Sequence, residues 1–215
     1  MPAGIVSVGT WFPEQWMTGA EIGDRAGIPT DVIVERFGIE GKHIAGPEDH
    51  VSTMAAEAGK VAVERAGISM DEVDVVAYFG STALDYSVWS VSPRIINLLG
   101  ARNAFAFEMA NVSCGSPVAV AMVAGLLNGD HTIENVLVVG GCRESHLLDY
   151  TNERSRFMFN FGDGGAAALM STTLPSHEVL SYRIITDGQF ADDVAVYAGG
   201  TRLPASHQTV EEGRH

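Results

Sequence analysis

Few residues in this chain have the type and setting for covalent chemistry, and Cys114 leads them. It lies in Phe107 to Asn128, FEMANVSCGSPVAVAMVAGLLN, where an apolar strand-like stretch gives way to a small polar loop and then at once to an apolar helical run. A sharp strand-to-helix turn of this kind lifts a nucleophile out of a sheet. Gly115, Ser116 and Pro117 permit it, proline being favoured in the first turn of a helix. A cysteine at a helix N-terminus meets unpaired amides and the positive end of the helix dipole, which favour its thiolate, the form that accepts an acyl group. The plainer reading, a buried small apolar residue, carries equal weight on these residues alone.

Other chemistry has less support. The second cysteine, Cys142, also follows a strand-like stretch, but no apolar helix opened by proline comes after it, so it is read as structural. The two cysteines form no zinc-type spacing, and no metal is expected. The seven histidines (His43, His50, His131, His146, His177, His207, His215) are read as lying in loops or tails, which leaves a Cys-His hydrolase without a partner for its nucleophile. With 13 basic against 27 acidic residues and a net charge of -14, the chain has no basic footprint for nucleic acid. No secretory leader pattern opens it, and no apolar run is read as reaching the ~18 residues of a membrane helix, so a cytoplasmic protein is expected.

The elements that must position Cys114 follow from periodicity and punctuation. Gly4 to Trp11 reads as a buried strand ended by Phe12-Pro13. Thr18 caps a short helix stopped by Gly27 and Pro29, and DVIVERFG from Asp31 reads as another, ended at Gly38. From Ser52, Met54, Ala55, Ala58, Val61, Ala62 and Ala66 recur at helical spacing up to Gly67. Val73 to Phe79 and Ala104 to Met109 read as strands, with a helix over Pro93 to Leu99 between them, and Asn135 to Gly140 as a further strand. The alternation predicts an α/β fold with a largely parallel, helix-covered sheet. Residues 1–186 form the expected nucleophile-bearing domain and 187–215 a turn-rich tail.

Several separated stretches resemble β-ketoacyl-acyl-carrier-protein synthase III of the thiolase superfamily: SVGTWFPEQ (Ser7 to Gln15), IVERFGIEGKHIAGPEDHVSTMAAEA (Ile33 to Ala58), the cysteine elbow, VLVVGG (Val136 to Gly141) and FGDGGAAAL (Phe161 to Leu169). They occur in the family's order. The resemblance implies a thiolase-like fold, one βαβαβ-type half of a layered αβαβα architecture with a mostly parallel mixed sheet. It implies that Cys114 takes an acyl group from a coenzyme A or acyl-carrier-protein thioester and passes it to a malonyl thioester in a decarboxylative condensation, with no permanently bound cofactor.

The resemblance also carries site residues. Arg36 matches an arginine that holds the coenzyme A nucleotide, and Arg154 a second one, with Arg156 as its competitor. Val32 stands where relatives carry a tryptophan that stacks on adenine, which tilts the expectation from acetyl priming of fatty acids toward a polyketide-type condensation. Gly162, Asp163 and Gly164 are read as architecture behind the site, and Tyr86 and Trp89 fall in the loop that lines the acyl pocket across a dimer interface. The family's second half, with its catalytic histidine and asparagine, has no match among these residues, so the chain is expected to be the N-terminal half only. Its expected partners are a second copy, a complementary C-terminal half and an acyl thioester. Two other readings remain. One is a non-catalytic partner subunit. The other is a hydroxymethylglutaryl-coenzyme A synthase, which needs a glutamate where Thr82 stands.

Overall fold

In the computed structural model, which describes residues 2–214, the chain separates into two compact units, Met1–Tyr182 and Arg183–His215. The first holds a six-stranded sheet in the order β5-β4-β6-β7-β1-β8. Its strands are β1 (Gly4–Trp11), β4 (Val75–Gly80), β5 (Phe105–Ala110), β6 (Asn135–Cys142), β7 (Gly164–Ser171) and β8 (His177–Glu178). β4 pairs in parallel with β5 and β6, whereas β7 lies antiparallel between β6 and β1. β1, β4, β5 and β6 therefore point one way, and the sheet is mixed but mostly parallel, as the alternation predicts.

Strand periodicity sends successive side chains to opposite faces, and both faces are covered. Val76, Tyr78, Leu137, Val139, Ala167 and Leu169 face α2 (Val51–Ala66) and α3 (Val91–Leu99). Val75, Ala77, Val136, Val138 and Met170 face α4 (Gly115–Gly129). The result is a helix-sheet-helix sandwich with an apolar core on each side of the strands. α2 lies so close to the sheet that a side chain at Gly141 would begin 2.3 Å from the Val51 carbonyl oxygen, and one at Gly165 would begin 2.0 Å from that of Met54. Only glycine tolerates such an approach.

A smaller cluster packs beside the sandwich. β2 (Gln15–Thr18) and β3 (Gly41–Ile44) form an antiparallel pair that carries α1 (Gly19–Ala26). Thr18 and Glu21 cap α1 reciprocally, and Gly27 closes it with φ 63°. The helix expected from Asp31 is a short π-helical turn, Val32–Arg36: Phe37 N–H reaches back five residues to the Val32 carbonyl at 3.0 Å. Met17, Ile22, Ile33, Ile39 and Phe159 fill this cluster's core. Two expectations are corrected here. His43 and His177 lie in strands and His207 opens α5 (His207–Glu211), because strand pairing, which the local sequence does not display, recruits the first two. The stretch Val112–Gly129, with mean hydropathy 1.5 over 18 residues, is long and apolar enough by composition to cross a membrane; its α4 segment packs on the sheet.

The second unit is built of turns. Asp187 caps a 3-10 turn over Gly188–Phe190, and Ser206 and Thr209 cap α5 reciprocally.

Candidate active site

The chain leaves β5 at Ala110 and reverses within four residues. Asn111 N–H donates to the Gly80 carbonyl at 3.2 Å, Val112 takes a left-handed φ of 48°, and Cys114 N–H donates to the Asn111 carbonyl at 3.1 Å. A β-branched residue in that region stores on the order of 1–3 kcal/mol of strain. Cys114 then occupies the N-cap position of α4, with its side chain exposed. Pro117 sits at the third helical position, where an amide hydrogen would have no partner within the helix.

What seats the turn is Phe79. A side chain at Gly115 would begin 3.2 Å from its ring and 3.3 Å from the Gly80 nitrogen, and one at Gly140 would begin 2.6 Å from the far edge of the same ring. The end of β4 is thus held between two glycines, and the first turn of α4 rests directly on it. α4 buries Ala119, Val123, Ala124 and Leu127 against the sheet and leaves Met122 45% exposed. The arrangement presents a thiol to solvent at the positive end of a fixed helix, the geometry of a covalent nucleophile.

The two cysteines differ sharply in surroundings. Cys142 ends β6, and its Sγ lies 3.6 Å from the Gly162 carbonyl oxygen. Although solvent reaches part of this residue, dense packing and then the Glu144 and Asp163 carboxylates push its thiol up to about 12. The Cys142 thiol therefore stays protonated at neutral pH.

Asp163 of the FGDGG turn ties three segments together. Its carboxylate accepts from Ala45 N–H at 2.7 Å, Ser145 N–H at 3.0 Å and Ser145 Oγ at 2.6 Å. Arg143 donates to the Gly46 carbonyl at 3.0 Å, and Asp85 accepts from Ser52 N–H at 3.1 Å and from Ser52 Oγ at 2.6 Å, fixing the start of α2. Tyr86 and Trp89 meet edge to face at 5.3 Å between centroids. They line a cavity of about 270 Å³ with Tyr78, Ser81, Thr82, Leu84, Glu108 and Met109. Burial, followed by the nearby carboxylates of Glu144, Asp85 and Glu108, drives the Tyr78 hydroxyl to a raised pKa, so it stays neutral.

The arginines expected to hold a nucleotide are exposed, but they are not equivalent. Arg36 ends the π-helical turn. The next residue, Phe37, lines a second cavity of about 340 Å³ with Ile39, Arg156, Phe157 and Asn160. Arg156 is also 2.9 Å from Glu153, whereas Arg154 is not among the lining residues. The loop carrying both arginines is anchored by Lys42. Its buried ammonium donates to the Phe159 carbonyl at 2.9 Å and lies 5.3 Å from the centre of the Tyr150 ring, which Arg25 approaches at 5.7 Å. Spacing alone could not identify Lys42, since the partner it finds is a carbonyl 117 residues away.

Residues 107–188 match the family model for 3-oxoacyl-[acyl-carrier-protein (ACP)] synthase III. The chain is 32% identical over 212 residues to a β-ketoacyl-[acyl-carrier-protein] synthase III of Sulfurovum sp. (strain NBC37-1), matching 98% of this chain and 62% of the relative. The structure superimposes on 3-oxoacyl-(acyl carrier protein) synthase III from Pseudomonas aeruginosa PAO1 with a TM-score of 0.81 at 25% identity, covering 99% of this chain and 62% of that one. It also superimposes on the priming β-ketosynthase of the R1128 polyketide biosynthetic pathway with a TM-score of 0.73 at 25% identity, covering 82% of this chain and 51% of that one. The resemblance read from the motifs thus holds over nearly the whole chain, and the fold is thiolase-like. The chain spans about three fifths of the length of the curated relatives it matches. The expectation of an N-terminal half only is corrected accordingly: the match takes in 62% of the relative, more than a half.

Lys42 gives this site a pH signature. Burial, opposed by Asp163, lowers its folded pKa from the usual 10.5 to about 8. Between those values the unfolded chain binds more protons than the folded one, so this contribution to stability rises with pH from about 8 and levels off above 10.5. Urea-unfolding midpoints of wild type and Lys42→Met, compared across pH 7 to 11, should diverge upward for the wild type in that window; parallel curves would contradict the assignment.

Proposed function

On the premise that this chain is a β-ketoacyl-[acyl-carrier-protein] synthase III-like sequence with that family's fold, we propose that it is the nucleophile-bearing part of a condensing acyltransferase. The observation that carries the proposal is an exposed cysteine on a glycine-seated turn at the head of α4, inside the stretch that the family model matches. Cys114 attacks the carbonyl of an acyl-coenzyme A or acyl-carrier-protein thioester, its sulfur forms the new thioester bond, and the donor thiol departs with a proton. A malonyl thioester then loses carbon dioxide, its α-carbon attacks the acyl carbonyl, and the Cys114 thiolate leaves. No permanently bound cofactor is needed for either step.

Arg36 and Arg154 are the proposed contacts to the coenzyme A nucleotide. The second cavity favours Arg156 over Arg154 for one of those places, because Arg156 shares it with Phe37, the neighbour of Arg36. The similarity to a polyketide priming synthase, together with Val32 in place of a stacking tryptophan, supports a polyketide-type condensation beside the fatty-acid one. The setting of such an enzyme is the cytoplasm. A homodimer is also proposed: β5 is an edge of the sheet, carries no proline or lysine, and leaves Phe105 54% exposed, features of a strand that pairs with another chain.

Two measurements on the complete protein test these readings. Supplied with an acyl thioester and malonyl-acyl carrier protein, it should release carbon dioxide and form a β-ketoacyl product, with Cys114→Ala lowering turnover by at least about 10³-fold. Turnover unaffected by that substitution would sink the assignment. Light scattering should give twice the protomer mass, reduced by a charged substitution at Phe105; a monomer at micromolar concentration would refute the β5 pairing.

A further inference from the structure

Among the described residues, Lys42 is the only lysine or arginine that is buried. On β3 it stands opposite Met17 of β2 and reaches Phe159, and both of these belong to the apolar cluster beside the sandwich. Burial is the largest influence on its ammonium and works against the charge. A methionine or leucine would fill the same space without that cost. What the ammonium supplies instead is a directed bond from a charged donor, and it goes to the Phe159 carbonyl at 2.9 Å.

That carbonyl lies near one end of the segment 149–161, and the other end meets the same lysine. The Tyr150 ring centre is 5.3 Å from Lys42 Nζ and 5.3 Å from the centre of the Phe159 ring, so one ammonium engages both feet of the segment. Between the feet the hydrogen bonds are local. Asn152 caps the 3-10 turn Glu153–Met158, and Ser155 Oγ donates to the Asp149 and Asn152 carbonyls at 2.7 and 2.9 Å. Among the described residues, two hydrogen bonds tie 149–161 to the rest of the unit. One is that of Lys42; the other runs from the Tyr150 hydroxyl to the Met17 sulfur, a weak acceptor, at 3.4 Å. The middle of the segment brings Arg156 and Phe157 to the wall of the second cavity, with Phe37 and Ile39. Ile39 and Phe159 share one core cluster, so the cavity and a foot of the segment rest on the same packing.

We infer that Lys42 is a positioning residue for the acyl donor: it pins both ends of 149–161 and so holds Arg156 and Phe157 where a coenzyme A nucleotide binds. The inference rests on the proposed nucleotide contact at this cavity and deepens it. A small thioester without a nucleotide makes no use of the segment, so Lys42 sorts donors by their far end and not by their acyl group.

The test compares acylation of Cys114 in the complete protein by butyryl-coenzyme A and by butyryl-N-acetylcysteamine, which lacks the nucleotide, followed by intact mass. In Lys42→Met, half-saturation by butyryl-coenzyme A should need on the order of 10-fold more donor, the scale of one hydrogen bond from a charged group. The maximal rate should hold, as should loading by butyryl-N-acetylcysteamine, which also reports that the variant folds. Lys42→Arg keeps a charged donor and should weaken the coenzyme A donor less than Lys42→Met does. An unchanged half-saturation in Lys42→Met, equal weakening in the two variants, or a loss shared by both donors would overturn the inference. If coenzyme A confers no advantage over N-acetylcysteamine in the wild type, the nucleotide contact fails and this inference with it, while acyl loading of Cys114 stands. Absence of loading from both donors overturns the acyl-loading reading and this inference together.

Discussion

The end of β4 is the point on which the site depends. Phe79 and Gly80 are gripped between β6 and the head of α4, and the grip works because Gly140 and Gly115 have no side chains where the Phe79 ring must lie. Interiors are close-packed, so a ring held on both edges by backbone transmits any displacement directly. Asn111 is bonded to the Gly80 carbonyl, Val112 accepts a strained φ, and Cys114 emerges at the start of a helix whose other residues are committed to the sheet. Cys114, the proposed nucleophile, is placed by packing and backbone bonds.

A second layer of ties makes that placement rigid. α2 rests against the backbones of β6 and β7 at Gly141 and Gly165, and Asp85 fixes its first turn. Asp163 joins the FGDGG turn to the segments at Ala45 and Ser145, while Lys42 holds the arginine-bearing loop by the Phe159 carbonyl. These ties use carboxylates and amides that are fully satisfied. In the same neighbourhood, packing and the Glu144 and Asp163 carboxylates push the Cys142 thiol up.

Local signals were legible wherever one segment decides its own structure. The helical period from Ser52, the Thr18 cap and the polar turn before an apolar helix all appear in the structure with shifts of a residue or two at their ends. Elements made by distant partners were not. β2 pairs Gln15–Thr18 with Gly41–Ile44 across two dozen residues, and that pairing places His43 in a strand rather than a loop. The antiparallel insertion of β7 between β6 and β1 is equally silent in an alternating pattern that reads as parallel. Among the proposed site residues, Cys114 stands out because its flanking glycine and proline announce the turn, and Arg36 through its motif. Nothing local separates Arg154 from Arg156.

The central claim is that packing makes one of two cysteines an acyl acceptor and the other inert. The most direct measurement is peptide mapping by mass spectrometry after brief exposure of the native protein to an acyl thioester at neutral pH. The account predicts the acyl increment on the peptide containing Cys114 and none on that containing Cys142. An increment on Cys142, or equal labelling of both, would contradict it.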